Sequence, residues 1–502
     1  IINPIPIEEM KDFGAVTNVN LEQVPKVDLD KSVFELPQKP NEVFEYTSDS
    51  FLNLLGGNSI FQSDNGGIWL TTQREVMLYD GKKITKFNST QGFVNTGKMI
   101  EDSKGNLWIG GTNGLTRLDL NGLITYNEGD GLKSLYLRTI QQGSDGKIYT
   151  SQGNFLLGQF DGKKFQTISL KLPADSKPSW ASRNAWQDKK GEWWILSNNG
   201  LYHFPAVSDF RQLENKAPIA VYNKKNGLKG NIAFQVFEDS RGDIWISTFS
   251  VKDEEKGLYV WSRQTQELTT ISNETGYPSN KSASSFAEDS DGTLWMGFYE
   301  GGAARFKDGK FTEYGESFGV PNGMISDLLF DRKGRLWIAT TRGGLLRVGD
   351  PKAEAPQFSA ITIADGLTSN NIRTITQDLE GNLFLGTVRG VDRFSPETGQ
   401  IQHFSIADGL ATDFVADSIC DKDGTLWFAT LNGLSKLVPN RNEKKEDSPA
   451  RISKLKIAGE TKPLAELGSE IIENLDLAAN ENNLQIDFFG LNFNPAGKLR
   501  GV

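Results

Sequence analysis

The stretch DKDGTLWFATLNGLSKL, from Asp421 to Leu437, decides the fold because close copies of it recur along the chain. Asp289 opens DSDGTLWMGFYEGGAARF, and Asp331 opens DRKGRLWIATTRGGLLRV. Asp102 opens DSKGNLWIGGTNGLTRL, and Asp239 opens DSRGDIWISTFS before a longer loop. Each copy joins an acidic, glycine-containing turn to an apolar run that carries a tryptophan, so one structural unit is being repeated.

A large aromatic residue follows each of these turns at a regular interval. Nine positions fill this slot: Trp69, Trp108, Tyr149, Trp194, Trp245, Trp295, Trp337, Phe384 and Trp427. The intervals are 39, 41, 45, 51, 50, 42, 47 and 43 residues, and seven of the eleven tryptophans stand in this slot. A period of about 40–50 residues is typical of four-stranded propeller blades. The sequence therefore predicts nine blade-like units.

The local pattern predicts four short strands in each unit. A β-rich run such as NIRTITQD (Asn371–Asp378) precedes the acidic turn, and a strand such as TLWFAT (Thr425–Thr430) follows it. Glycine supplies the positive φ that such turns need, and aspartate caps the turn through its side chain. We expect each repeated tryptophan to be a wedge between neighbouring blades, since an indole can bury about 200 Å² of surface.

The predicted fold class is all-β, a single β-propeller of four-stranded blades over residues 41–440 and then a partial immunoglobulin-like β-sandwich over residues 451–502. Nine blades is the literal count. Because propellers typically have about 4–8 blades, a seven- or eight-blade ring with a terminal unit placed elsewhere is the alternative. We expect NEVFEYTSD (Asn41–Asp49) to join Phe414–Leu437 as a fourth strand and close the ring. Residues 1–40 read as an extended leader and residues 441–450 as a charged linker.

Composition narrows the function classes. A net charge of −10 and a pI near 5.1 argue against a nucleic-acid partner, whose phosphates would be repelled. No apolar run reaches the roughly 18 residues of a membrane span, so we expect none in this segment, although a membrane-anchored continuation is compatible with it. The single cysteine, Cys420, excludes an internal disulfide framework. Because no starting methionine or export signal is present, we expect the chain to be a processed product.

Motifs for catalysis, metals and cofactors are weak. The DxDG turns at Asp289–Gly292 and Asp421–Gly424 have spacing similar to calcium loops, but Leu294 replaces the required glycine, which favours hairpin-turn chemistry. The GxSxG match at Gly315–Gly319 lacks a following helix pattern. The sequence thus predicts no catalytic residue, no cofactor and no metal, and structural roles for the cysteine and for the two histidines, His203 and His403.

Propeller geometry places one set of loops together on a single face. The connections between units and the tips between second and third strands share this face, while the acidic turns lie on the opposite face. The candidate ligand-binding residues on the first face are Tyr136, Arg138, Phe234, Tyr299, Glu300, Arg342, Asn371, Arg373, Arg389, Phe414 and Asn432. Aromatic rings with arginine and asparagine suit a sugar ring, its hydroxyls or a carboxylate. The alternative for each residue is that it merely covers the central channel.

The repeat closely resembles the two-component regulator propeller repeat, whose core reads D-x-x-G-x-L-W-x-G-T-x-x-G-L. The segments ADGLTSNNIRTITQD (Ala364–Asp378) and ADGLATDFVADSICD (Ala407–Asp421) also carry the D-G-L that precedes the first strand in that family. The tail ENNLQIDFFGLNFNPAGKLR (Glu481–Arg500) looks like the start of the triple-tyrosine sandwich domain that follows such propellers. The naming tyrosines are absent, and we expect part of that domain to lie beyond Val502.

The resemblance implies a periplasmic sensor, joined across the membrane to a kinase, phosphatase or cyclase, and relatives that sense polysaccharide breakdown products. The first hypothesis is therefore a non-enzymatic sensor of a signal-transduction regulator, in the periplasm or cell envelope, that recognises an oligosaccharide or similar polar ligand. The alternative is an envelope scaffold that grips a partner protein and has no output domain of its own. A polysaccharide lyase or hydrolase is a third hypothesis, since propellers also host enzymes on this face.

Overall fold

The computed structural model describes residues 26–28, 57–63, 67–72, 75–79, 83–87, 96–101, 107–111, 114–118, 123–179, 184–438, 450–464, 469, 471–472, 475, 477–478 and 483–490. Regular structure in these residues consists of antiparallel strands and short 3₁₀ turns, which confirms the all-β prediction. Within the same residues, none of the helical segments has the length and apolar character that crossing a membrane requires.

Two sheets come first in the chain. The first contains β1 Lys26–Asp28, β2 Gly57–Gln62, β3 Ile68–Thr72, β4 Val76–Tyr79 and β5 Lys83–Phe87, and the second contains β6 Thr96–Glu101, β7 Leu107–Gly111 and β8 Gly114–Leu118. The two sheets share one core, which includes Trp69, Phe87, Met99 and Ile109. These are the first two of the nine predicted units.

Seven four-stranded sheets follow, and they are the blades of the propeller. Blades 1 and 2 contain β10 Leu137–Gln142, β11 Ile148–Gln152, β12 Leu156–Phe160, β13 Phe165–Ser169, then β14 Ala185–Gln187, β15 Trp193–Ser197, β16 Gly200–Phe204, β17 Ala220–Tyr222. Blades 3 and 4 contain β18 Ile232–Glu238, β19 Ile244–Phe249, β20 Gly257–Trp261, β21 Leu268–Thr270, then β22 Ala283–Glu288, β23 Leu294–Phe298, β24 Ala303–Lys307, β25 Lys310–Tyr314. Blades 5 and 6 contain β26 Ile325–Phe330, β27 Leu336–Thr340, β28 Leu345–Val348, β29 Phe358–Ile361, then β30 Ile372–Gln377, β31 Leu383–Thr387, β32 Gly390–Phe394, β33 Ile401–Phe404. Blade 7 contains β34 Val415–Cys420, β35 Leu426–Thr430, β36 Gly433–Leu437 and, from earlier in the chain, β9 Ile124–Tyr126.

The strand that closes the ring is β9, which pairs with β36 so that Tyr126 lies opposite Leu434. Blade 7 then packs on blade 1, where the Asp417 carboxylate accepts the N–H of Ile140 at 3.1 Å. The predicted closing strand, Asn41–Asp49, is wrong because β9 takes that place beside β36; the segment itself lies outside the described residues. The ring therefore has seven blades, from β9 to β36, and the nine-blade reading over residues 41–440 is replaced by the seven-blade alternative with two units outside it.

In four blades, the aspartate of the acidic turn accepts a hydrogen bond from the tryptophan of the same blade. Asp331 Oδ1 accepts the N–H groups of Lys333 and Arg335 at 2.9 and 3.0 Å, and its Oδ2 accepts the indole N–H of Trp337 at 2.9 Å. The same indole bond recurs in Asp188–Trp194, Asp239–Trp245 and Asp421–Trp427. The glycine of each turn has positive φ, as at Gly334 (φ 76°). This pattern explains why the repeat requires D-x-x-G and W together.

The repeated aromatic residues are wedges between blades, as predicted. Trp194 of blade 2 is fully buried and lies in one cluster with Val236 and Ile246 of blade 3. Trp427 of blade 7 lies in a cluster with Leu137 and Ile140 of blade 1. Each blade therefore buries its faces against the neighbouring blades, and the interface between blades 7 and 1 is built like the others.

Short 3₁₀ turns and one further sheet complete the described structure. The 3₁₀ turns are Glu128–Asp130, Gly153–Phe155, Phe210–Asn215, Asp253–Glu255, Asn273–Thr275, Glu316–Phe318, Ile363–Asp365 and Ile406–Asp408. After the ring, β37 Ala450–Ile457, β38 Glu460–Lys462 and β39 Leu484–Gly490 form a three-stranded antiparallel sheet. That this sheet begins an immunoglobulin-like sandwich stays a prediction.

Candidate functional site

The first strand of each blade enters from the face that we call the loop face, formed by the connections between blades (such as residues 362–371 and 405–414) and the tips between second and third strands. The turn face is the opposite one, formed by the turns such as residues 188–192, 331–335 and 421–425. Six of the seven first strands shift register near their loop-face end, each leaving one residue unpaired. Such bulges re-aim side chains and are over-represented beside active sites.

The first strands surround a central cavity with about 370 Å³ of space not filled by protein atoms, part of it open to solvent. Five blades contribute to its wall, from blade 3 to blade 7. The polar residues of the wall are Gln235, Ser285, Ser326, Asp327, Arg373 and Asp417. The sequence predicted only Arg373 among these, because the other residue types are common in ordinary strands. What distinguishes the other residues is their position at or next to the bulge.

The two carboxylates of the cavity hold the blades together. Asp327 Oδ2 accepts the N–H of Ile375 at 2.9 Å, and its Oδ1 accepts the N–H of Leu328 at 2.9 Å. Asp417 does the same with Ile140 of blade 1 and with its own neighbour Ser418, at 3.1 and 2.9 Å. Each carboxylate thus accepts a hydrogen bond from a backbone N–H of the next blade.

Arg373 stands at the bulge of β30 and is largely buried. Its Nε is buried and has no hydrogen-bond partner among the described residues, and neither has Oδ1 of Asn371. Its guanidinium lies over the ring of Phe414, with Cζ 5.9 Å from the ring centroid. Burial lowers the pKa of Arg373, and the neighbouring charge of Arg138 lowers it further. The structure therefore brings four predicted residues together here.

Arg138 occupies the equivalent bulge on β10 and reaches Tyr136. Its Nη2 donates a hydrogen bond to the Tyr136 hydroxyl, and its Cζ lies 4.8 Å from the centre of that ring. Tyr136 is 40% exposed, so the pair presents an aromatic surface and a cation to solvent. An aromatic face can pack on a flat apolar surface, and a guanidinium can donate paired hydrogen bonds to a carboxylate.

A second predicted group forms between blades 3 and 4. Phe234 and Tyr299 meet edge to face with ring centroids 5.9 Å apart, and Phe249, which the sequence analysis missed, packs edge to face on Tyr299 at 5.0 Å. Phe234 is only 2% exposed, so it supports the site from behind. Glu300 pairs with Lys256 at 3.0 Å and accepts the N–H of Ser282 at 2.8 Å, which makes it a brace between loops.

Three predicted residues lie separately at exposed tips of the loop face. Arg342 follows β27, Arg389 follows β31 and Asn432 follows β35, and all three are exposed. The N–H groups of Arg389 and Asn432 donate to the hydroxyls of Thr387 and Thr430 in the preceding strands, at 2.9 and 3.2 Å. The three residues do not meet one another in the structure, so any shared ligand would have to span the rim.

Residues singled out by other motifs lie elsewhere. Ser317 lies in the 3₁₀ turn Glu316–Phe318, which begins after Gly315 and not in a strand-to-helix elbow. Burial raises the pKa of the Cys420 thiol to about 11. His203 stacks on Trp194 with centroids 3.9 Å apart, and burial lowers its pKa; His403 Nδ1 lies 3.1 Å from Asp392. In the part of the chain that the structure describes, no group of three or more His, Cys, Asp or Glu side chains could hold a metal ion.

A family model described as the two component regulator propeller matches residues 227–250, 276–300 and 319–342. These stretches cover the entry loop and the first two strands of blades 3, 4 and 5. Among curated proteins, none matches the sequence. The matched repeats are therefore three of the five units that contribute to the cavity wall.

Solved structures share the fold at low identity. The extracellular domain of a protein described as a hybrid two component system from B. thetaiotaomicron has a TM-score of 0.62 and 18% identity, over 86% of this chain and 59% of that one. The extracellular domain of a one component system from the same organism has a TM-score of 0.49 and 17% identity, over 86% and 60% of the two chains. PorZ, a surface component of the type-IX secretion system of Porphyromonas gingivalis, has a TM-score of 0.48 and 14% identity, over 85% and 69%. This chain thus spans only about three-fifths of the length of the two B. thetaiotaomicron domains, and the first likeness shows a shared propeller fold.

Proposed function

We propose that this chain, which belongs to the two-component regulator propeller family, is an extracytoplasmic sensor domain that binds a polar ligand on its loop face. The family match supports a role in regulation, and the similar B. thetaiotaomicron structures are extracellular domains. The domain acts without catalysis of its own, in the periplasm or cell envelope. Its signal passes to an output domain elsewhere in the regulator.

The observation that carries this proposal is a pair of buried, unpaired polar atoms in neighbouring residues at the central cavity. On the turn face, Asp331 uses both carboxylate oxygens within its own blade. On the loop face, Oδ1 of Asn371 and Nε of Arg373 are buried without a partner among the described residues. Buried polar atoms are nearly always paired in folded proteins, so unpaired ones beside a cavity are functional candidates. A bound ligand supplies the missing partners.

A carbohydrate is the ligand class that these side chains suit best. Tyr136 and Tyr299 offer rings for stacking at two places on the face, and Arg138 and Asn371 offer donors and acceptors for hydroxyl groups. The exposed tips with Arg342 and Arg389 extend this surface outward. Such spacing favours an oligosaccharide over a single sugar.

The test is saturable binding of the purified protein to a panel of neutral and acidic oligosaccharides, followed by titration calorimetry on each hit. Arg342→Ala and Tyr136→Ala should weaken binding about tenfold each, because both side chains are exposed and their loss removes direct contacts without a buried cavity. Arg347→Ala is the matched control, since Arg347 is an exposed arginine on the third strand of the same blade as Arg342.

If Arg342→Ala and Tyr136→Ala bind with wild-type affinity, as the control should, ligand binding on the loop face would be contradicted. Co-purification of a stoichiometric envelope protein without any glycan binding would favour the scaffold hypothesis instead. Turnover of a polysaccharide by the isolated domain would favour the enzyme hypothesis.

A further inference from the structure

Two arginines occupy equivalent bulge positions on blades 6 and 1, on either side of blade 7. Arg373 is the unpaired residue where β30 shifts register between Ile372 and Thr374, and Arg138 is its counterpart between Leu137 and Thr139 on β10. The bulge of β34 between them carries Ala416, a small side chain. Ala416 also lines the central cavity, so the bulge between the two arginines carries only a methyl group.

The charge of Arg373 has no counter-charge of its own. No carboxylate lies within 4.0 Å of its guanidinium in the described residues, and its Nε lacks any hydrogen-bond partner there. Arginine keeps its proton in proteins, so the buried positive charge persists. A buried charge without a partner is strongly unfavourable unless something else compensates for it.

The carboxylates in the same cavity do not supply that compensation. Asp327 accepts hydrogen bonds from Ile375, Leu328 and the Thr374 hydroxyl, at 2.9, 2.9 and 3.3 Å. Asp417 is bound to the N–H groups of Ile140 and Ser418. Both acids accept hydrogen bonds at the seams between blades, and neither forms an ion pair with Arg373.

We propose that the mouth of the central channel between Arg373 and Arg138 is an oxyanion subsite that binds the carboxylate or sulfate group of an acidic ligand. The planar guanidinium offers two parallel donors that match either group, and Phe414 and Tyr136 border the two arginines. The inference names the ligand chemistry of the loop face and so rests on the function proposed above. It selects acidic oligosaccharides over neutral ones.

Equilibrium dialysis with radiolabelled sulfate tests the subsite directly on the purified chain. The wild type should retain sulfate in a saturable way, and Arg373→Gln and Arg138→Gln should each weaken retention about tenfold or more, since each removes charged hydrogen bonds. Lys133→Gln is the matched control, because Lys133 is an exposed cation on the same connection as Tyr136 and removes the same charge from the face. Its sulfate retention should equal that of the wild type.

Competition separates the two sources of the anion. A trisaccharide of galacturonic acid should displace the labelled sulfate, whereas its uncharged methyl ester should not. Displacement only by sulfated oligosaccharides would assign the subsite to sulfate esters. Displacement by the methyl ester as well would overturn the oxyanion subsite.

A stability measurement keeps the inference testable even if Arg373→Gln folds poorly. Arg373→Met should raise the midpoint of thermal unfolding in sulfate-free buffer, because it replaces an uncompensated buried charge by an apolar chain of similar length. A lower midpoint would show that Arg373 has a structural partner and would overturn the subsite. Sulfate retention that is absent, or unchanged in both arginine variants, would also overturn it, whereas loss of all glycan binding would count against the proposed function.

Discussion

The two faces of this propeller differ in how their polar side chains are used. On the turn face, Asp188 and Asp421 accept backbone N–H groups and a tryptophan indole of their own blades, and Asp188 also pairs with Arg263 of blade 3 at 2.6 Å. On the loop face, Asn371 and Arg373 each have one buried polar atom without a partner among the described residues, and Arg342 and Arg389 are exposed. The repeated residues therefore maintain the fold, and we propose that residues that differ between blades bind the ligand.

The difference between the faces also explains why the turn-face residues repeat from blade to blade, whereas the loop-face residues vary. A turn that loses its aspartate leaves several donors unpaired, including a buried indole N–H. A loop-face tip such as that of Arg389 can change without leaving a buried group unsatisfied. Blade 1 shows the limit of this rule, since Gly143 stands at the aspartate position there and Tyr149 bonds instead to Asp145 at 2.8 Å.

The largest effect is expected from removing a turn-face carboxylate. Asp331→Ala should lower the free energy of unfolding by about 3 kcal/mol, because it leaves the Trp337 indole, two backbone N–H groups and Arg335 without their partner. Asp289→Ala is the matched control, since Asp289 caps its turn but Trp295 Nε1 has no partner; it should cost about 1 kcal/mol. Urea titration measures both, and equal losses would contradict the importance of the indole bond.

Lowering the pH should remove part of the stabilisation that Asp331 provides. Burial raises the pKa of Asp331, but hydrogen bonds from the Trp337 indole and Arg335 outweigh it and hold the pKa below its usual value. A depressed pKa stabilises the fold above the unfolded value of about 3.9, and that contribution is lost as the pH falls through the folded value. The stability difference between wild type and Asp331→Asn should therefore narrow as the pH falls from 7 to 3.

Urea midpoints of the two proteins at several pH values measure this narrowing. A difference that grows as the pH falls would mean that Asp331 is not held as the anion.

The smallest effect on stability is expected at the loop-face tips. Arg389→Ala should change the free energy of unfolding by less than about 0.5 kcal/mol, because the side chain is exposed. Arg393→Ala in the same blade should cost more, about 1 kcal/mol, since Arg393 lies over Phe384 and pairs with Glu380 at 3.4 Å. If Arg389→Ala is the more damaging of the two, the tip has a structural role.

The sequence predicted the blades well because their determinants are local. Each acidic turn and each aromatic slot marks the first and second strands of its unit, and every one of the nine slots lies in a second strand, from Trp69 in β3 to Trp427 in β35. The closing strand was not predictable in this way. The residues Ile124–Tyr126 follow β8 as if they were its fourth strand, yet they pair with β36 more than three hundred residues later. The pairing of β9 with β36 depends on closure of the ring and not on the local sequence pattern.

The candidate site was predictable only in part. Chain position placed Tyr136, Arg138 and Arg373 on the loop face, but burial decides their roles, and burial depends on neighbouring blades. Sequence alone could not tell that Phe234 is covered by Tyr299 or that Glu300 is committed to Lys256. Asp327 and Asp417 were missed because the sequence does not indicate which backbone N–H will donate a hydrogen bond to a carboxylate in a first strand.

Hydrogen exchange with and without saturating sulfate, at matched ionic strength, tests the division between the two faces most directly. Protection should increase in the loop-face connections 362–371 and 405–414 and around Tyr136, and it should not change in the turns 188–192, 331–335 and 421–425. That result would place binding at the channel mouth, on the face that carries Asn371 and Arg373. Protection confined to the turns, with none at the connections, would contradict the account.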